Sequence, residues 1–122
     1  MPIDFSLSPE QRALQQGARD FAAQVLAPVA ERLAAIADPA EAFYSTRETY
    51  RAMAHAGFTK SYLPKELGGG GVPMVDFAVA AEELARVDVN VPSTLLATGL
   101  ALRPILQFGT PEQRRRFCKP FV

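Results

Sequence analysis

The chain carries few groups able to do chemistry, and their spacing limits what they could do together. His55 and Cys118 are the only histidine and the only cysteine, and they lie far apart in sequence, so a Cys-His nucleophilic pair needs tertiary accident. A single cysteine excludes an internal disulfide and a thiolate metal cluster. It fits a reducing compartment, and a cytoplasmic location is the expectation. No Glu-x-x-His pair occurs, which removes the carboxylate-bridged di-metal site that helical bundles can host. Glu82 and Glu83 are adjacent and diverge by about 100° on a helix, so they cannot share one proton. They read as rim charges, or as partners for Arg86 or for the basic run Arg114, Arg115, Arg116 and Lys119. The run Gly68 to Gly71 invites a phosphate-cradle reading, but no Lys-Ser or Lys-Thr follows it and no strand precedes it. It serves either as a turn where backbone passes close to a neighbour or as a segment near a substrate or cofactor. These residues supply no catalytic set and no metal site.

The elements that must position them are helices. No segment alternates apolar and polar residues with β-branched enrichment, whereas helix starts recur, so the fold class is all-α, a bundle of about five helices. Ser8-Pro9-Glu10-Gln11 places a hydroxyl at N-cap, proline at N1 and Gln at N3 of a capping box. Behind it Leu14, Ala18, Phe21, Val25, Val29, Leu33 and Ile36 form one apolar stripe, and Pro28 predicts a kink or break over 24–28. A second helix is expected over 41–56, with Phe43, Tyr50, Met53 and Ala54 inward and Gly57 at C′. An ordered loop over 58–72 ends in a flexible glycine tip. Pro73 then starts a third helix whose apolar face is Val75, Ala78, Val79, Ala81, Leu84 and Ala85. The fourth helix, over 92–108, carries one charge, Arg103, and so should be surrounded by protein on most sides. Gly109 ends it, and Thr110-Pro111-Glu112-Gln113 repeats the opening signature to start a fifth helix.

Composition bounds the class. The 122 residues and 48% apolar content suit one domain, residues 1–122, with one core. A chain of 13.2 kDa buries about two-thirds of its unfolded surface, leaving roughly 6,400 Å² exposed. Thirteen basic and thirteen acidic residues cancel, so no field recruits nucleic acid or an anionic membrane. The N-terminus, Met1 to Phe5, lacks the basic and apolar regions of a signal peptide. The most apolar stretch, 91–108, is interrupted by Pro92, Arg103 and Pro104, and no membrane span is expected.

Taken in order, Leu7-Ser-Pro-Glu-Gln-Arg12, Pro64-Lys-Glu-Leu-Gly-Gly-Gly-Gly71, Glu82-Glu-Leu-Ala-Arg86 and Phe108-Gly-Thr-Pro-Glu-Gln113 resemble the N-terminal helical domain of the flavin-dependent acyl-CoA dehydrogenases. The likeness covers nearly the whole chain, and Glu-Glu-Leu followed at this distance by Phe-Gly-Thr-x-Glu-Gln is its most specific part. Only the segment 33–49 departs from the pattern, so the second helix is the one expected to be shifted or shortened.

The resemblance implies an oxidoreductase of acyl-CoA thioesters that uses FAD, with the flavin and the catalytic base held by a β-domain and a C-terminal bundle that nothing here matches. This domain alone is therefore expected to be inactive, with no catalytic residue of its own and no assigned cofactor-binding residue. By the same resemblance the fourth helix forms a wall of the acyl cavity, with Ser93, Leu96, Ala97 and Leu100 toward the substrate. The complete protein is expected to be a homo-oligomer, a dimer or tetramer. Two alternatives stay open: a stand-alone helical interaction module or split subunit, and the corresponding domain of a related flavin monooxygenase or oxidase, nitroalkane oxidase among them. A lone domain of this kind should leave apolar surface uncovered around the fourth helix and the glycine loop.

Overall fold

The structure is a computed structural model that describes residues 5–122, so Met1 to Asp4 of the segment read for targeting signals lie outside it. The described residues form seven α-helices, one π-helical turn and two short 3-10 turns. The five expected helical runs are all present, two of them divided. The first is α1 (Pro9–Phe21), a π turn (Ala22–Leu26) and α2 (Ala27–Ala34). Ser8 and Gln11 exchange both bonds of the capping box, Gln11 N to Ser8 Oγ at 3.1 Å and Ser8 N to Gln11 Oε1 at 3.0 Å. The break expected over 24–28 is the π turn. Pro28 has no N–H to give, and the wider turn carries the chain past it, with the Ala27 amide donating to the Ala22 carbonyl. The turn also moves the buried face. Ala22 and Leu26 are fully buried, whereas Phe21 and Val25 of the expected stripe are half-buried.

The second run is divided into α3 (Pro39–Ser45) and α4 (Arg47–His55). The joint has a chemical cause: Ser45 Oγ donates to the Ala42 carbonyl at 2.8 Å and Thr46 Oγ1 to the Phe43 carbonyl at 2.7 Å, competing with the helical ladder. Helix α3 buries none of its residues, so Phe43, expected inward, is 61% exposed. Met53 is fully buried and Tyr50 packs against the core. Gly57, at φ +89°, closes α4 as C′; its amide bonds Ala54 and that of Phe58 bonds Met53.

Helix α5 (Met74–Ala85) turns a different face inward from the one its apolar pattern suggests. Ala80, Glu83 and Leu84 are buried and Val75 is 64% exposed, because α1 packs along α5 through polar side chains. Gln11 reaches Asp76 at 2.7 Å, and Gln15 and Arg19 reach Glu83 at 2.8 and 3.0 Å. Helices α6 (Asn90–Phe108) and α7 (Pro111–Cys118) complete the fold, α7 opening with the second capping box as expected. Helix α6 begins two residues before Pro92, where the buried Asp88 accepts the Val91 amide at 2.9 Å.

The core has two parts instead of one. Ala22, Leu26, Val29, Met53, Leu84, Val91 and Leu95 make the larger cluster, and Leu63, Leu102 and Cys118 the smaller. Tyr62 packs against both and joins them.

Candidate functional site

Helix α6 touches both clusters with one side and solvent with the other. Val91, Pro92, Leu95 and Leu102 are buried, which fixes the helix, while Ser93, Leu96, Ala97 and Leu100 are all exposed. Their spacing of three, four and seven residues places these four in one row. The structure thus brings the expected site residues together, but as an open ridge. The expectation that α6 is surrounded on most sides is corrected: Leu100 is 73% and Phe108 80% exposed. Its low charge reflects a surface suited to burial that the described residues do not cover.

Beside the ridge lies a groove of about 180 Å³ between Leu96, Leu100 and Arg103 of α6, Met74 and Phe77 of α5, and Tyr62. The Tyr62 ring meets Phe77 edge-on at 5.4 Å, and its hydroxyl is buried without a hydrogen-bond partner among the described residues. Burial, aided by nearby Tyr50 and Cys118, pushes its pKa up to about 12, so it stays a neutral phenol. On the ridge, Ser93 Oγ donates to the Val89 carbonyl, which leaves its lone pair as the polar group it offers. The chain presents 8144 Å² of accessible surface, about 1,700 Å² above the figure for a compact monomer of its mass.

The other candidates resolve differently. The glycine run is neither a phosphate cradle nor a loose tip. The amides of Gly68, Gly69, Gly70, Gly71 and Val72 donate to the carbonyls of Lys65, Pro64, Lys60, Leu63 and Ser61 at 2.8–3.0 Å, so none is left for an anion. A Cβ at Gly69 would run into the Leu63 carbonyl, which makes close backbone passage the reason for the glycine. His55 is exposed at the end of α4, while Cys118 is buried beside Leu63 and Leu102, where burial raises its thiol pKa and keeps it un-nucleophilic. Glu82 is exposed and pairs with Arg86 at 2.8 Å, one of the roles expected of it. Glu83 is not at a rim but 3% exposed and held by Arg19, with the expected partner Arg86 at 4.0 Å. No group of three or more His, Cys, Asp or Glu among the described residues could hold a metal ion. No helix among them is long and apolar enough to cross a membrane.

Sequence reasoning missed the Arg19–Glu83 pair, Asp88 as the acceptor of the Val91 amide in the first turn of α6, and the buried Tyr62 hydroxyl. Only the Asp88-x-x-Val91 spacing carried a signal, that of an acid accepting the amide three residues on.

This arrangement has close counterparts. The family model described as acyl-CoA dehydrogenase, N-terminal domain, matches residues 8–122. The nitroalkane oxidase of Podospora anserina is 36% identical over 125 residues, covering all of this chain and 28% of that protein. The short-chain specific acyl-CoA dehydrogenase of Megasphaera elsdenii is 34% identical, covering 98% and 31%. Among solved structures, a nitroalkane oxidase mutant crystallised with 1-nitrooctane superposes with a TM-score of 0.91 at 32% identity, covering 98% of this chain and 28% of that one. Butyryl-CoA dehydrogenase of Megasphaera elsdenii does so at 0.78 and 31%, covering 98% and 30%. The chain therefore spans under a third of these relatives, nitroalkane oxidase being a flavoprotein. With all but the first few residues matched and the same helical fold, the chain belongs to the acyl-CoA dehydrogenase family, as its N-terminal domain.

Proposed function

We propose that this chain is one wall of the substrate cavity of a flavin-dependent oxidoreductase, with the α6 ridge of Ser93, Leu96, Ala97 and Leu100 against the apolar tail of the substrate. The observation that carries the reading is the row of aliphatic side chains left exposed on a helix whose opposite side is fixed in the core. Such a row recognises an alkyl tail by burying CH₂ groups at about 0.8 kcal/mol each and excludes water along it. The glycine run offers a flavin no pyrophosphate cradle, because its amides are all engaged within their own loop. FAD and the groups that act on the substrate then belong to further domains or to a partner chain, in an oligomer of the size the resemblance implies. The free, buried thiol of Cys118 is in keeping with a reducing, cytoplasmic setting.

Two substrate classes share the apolar tail, acyl-CoA thioesters and nitroalkanes. The higher superposition and identity with nitroalkane oxidase favour giving the second equal standing with the first. Purified from its source, the protein is expected to show the absorbance of an oxidised flavin and to be bleached without oxygen by either a short-chain acyl-CoA or a primary nitroalkane. Which one bleaches it assigns the class. A colourless preparation that neither substrate changes overturns the reading in favour of a helical interaction module.

A further inference from the structure

A second groove lies on the other flank of α6. It holds about 460 Å³ between Phe43 and Tyr44 of α3, Arg47, Tyr50 and Arg51 of α4, and Thr98 of α6. At 100° per residue the exposed ridge lies on the solvent side of α6 between Thr98 and Gly99, and so separates this groove from the one beside Leu96. We propose that it binds a small organic anion, a carboxylate on a flat apolar body.

The walls specify both halves of that ligand. Phe43 and Tyr44 stand 61% and 67% exposed, edge-on to each other at 5.7 Å, on a helix that buries none of its own residues. They offer ring faces and edges to a flat partner. The floor is neutral and already bonded: Thr98 Oγ1 donates to the Thr94 carbonyl at 2.9 Å and therefore accepts from the Tyr50 hydroxyl at 3.3 Å. Thr94 Oγ1 likewise donates to the Val91 carbonyl at 2.6 Å. The Tyr50, Thr94 and Thr98 hydroxyl protons are thus spent, and the remaining donors are the Tyr44 hydroxyl and the guanidinium N–H groups. Arg51 shares one nitrogen with Glu48 and keeps others, while Arg47 forms no ion pair among the described residues. Arg47 and Arg51 are the only charged groups among the lining residues, and Arg47 brings its charge without a paired carboxylate among the described residues. A guanidinium beside an aromatic wall matches a planar carboxylate, and the volume is that of an ordinary small-molecule site. The inference stands independently of α6 as a cavity wall.

The test is titration of the whole chain with anilinonaphthalene sulfonate, followed by fluorescence, and displacement by naphthoate. Arg47→Glu and Arg51→Glu, both at exposed positions, are each expected to weaken sulfonate binding about tenfold or more. Binding of the uncharged parent, N-phenylnaphthylamine, should change less than about twofold, and Leu100→Ser on the ridge should leave the sulfonate affinity within about twofold. Sulfonate affinity that survives both reversals, falls equally in Leu100→Ser, or resists displacement by naphthoate overturns the proposal.

Discussion

Glu83 can be buried as a carboxylate because α1 supplies it with a bidentate partner. Arg19 places Nε 3.1 Å from Oε2 and Nη2 3.0 Å from Oε1, and Gln15 adds a bond of 2.8 Å. The Arg19 hydrogen bond holds the carboxyl below its ordinary value of 4.5 against the opposing effect of burial, with the Arg19 and Arg86 charges and Gln15 helping. A folded-state pKa below the unfolded one means the contribution is complete above the ordinary carboxylate range and is lost as pH falls through the folded value. Replacing Glu83 with Ala is expected to cost about 2 kcal/mol near neutral pH, discounted because Arg19 can return to water. The gap between variant and parent, read by urea unfolding, should narrow below about pH 4.5; a constant gap would show that lost packing, not charge, is responsible. The pair was not legible in the sequence, since Arg19 and Glu83 are 64 positions apart and each is merely a charge off an apolar stripe. Asp88 was nearer to legible, because its bond to the Val91 amide spans three residues.

Local rules hold best at the scale of the element. Both capping boxes and the C′ glycine involve bonds over three to five residues, and all three form as their spacing predicts. The glycines turn this into a comparison. Gly17 lies on the exposed face of α1 with nothing within 4 Å of an added Cβ, so Gly17→Ala should stabilise by about 0.5–1 kcal/mol. Gly57 also has room, its nearest neighbour being Lys60 Cε at 3.9 Å, but its φ of +89° disfavours any Cβ, so Gly57→Ala should destabilise by about 1 kcal/mol. Thermal unfolding of the two variants should move in opposite directions; movement the same way refutes the conformational account. Helix faces were harder to read than helix ends. The π turn adds a residue that rotates the stripe of α1 onto Ala22 and Leu26, and the α1–α5 contact draws Glu83 inward at the expense of Val75. The division at Thr46 falls within the segment already marked as departing from the family pattern.

For the molecule as a whole, α6 is both core and surface. Leu95 is 1% exposed and packs in the larger cluster, while Leu100, about one and a half turns on, is 73% exposed. Leu95→Ala is expected to cost about 3 kcal/mol and Leu100→Ser less than about 0.5 kcal/mol in chemical denaturation. A large loss from Leu100→Ser would mean that the ridge is already covered in solution. The chain alone, without its tertiary structure, determined the all-α class, five helical runs, two capping boxes, the C′ glycine and the family likeness, because these depend on bonds and periodicities within a few residues or on ordered short motifs. Ser93, Leu96, Ala97 and Leu100 were singled out by the family resemblance, not by periodicity. Only the tertiary structure decided that these four face outward, that the glycine amides are spent on their own loop, and that Phe43, Arg47 and Thr98 meet around one groove. Each of these depends on which face of a helix its neighbours cover, and that is set by contacts between residues far apart in sequence.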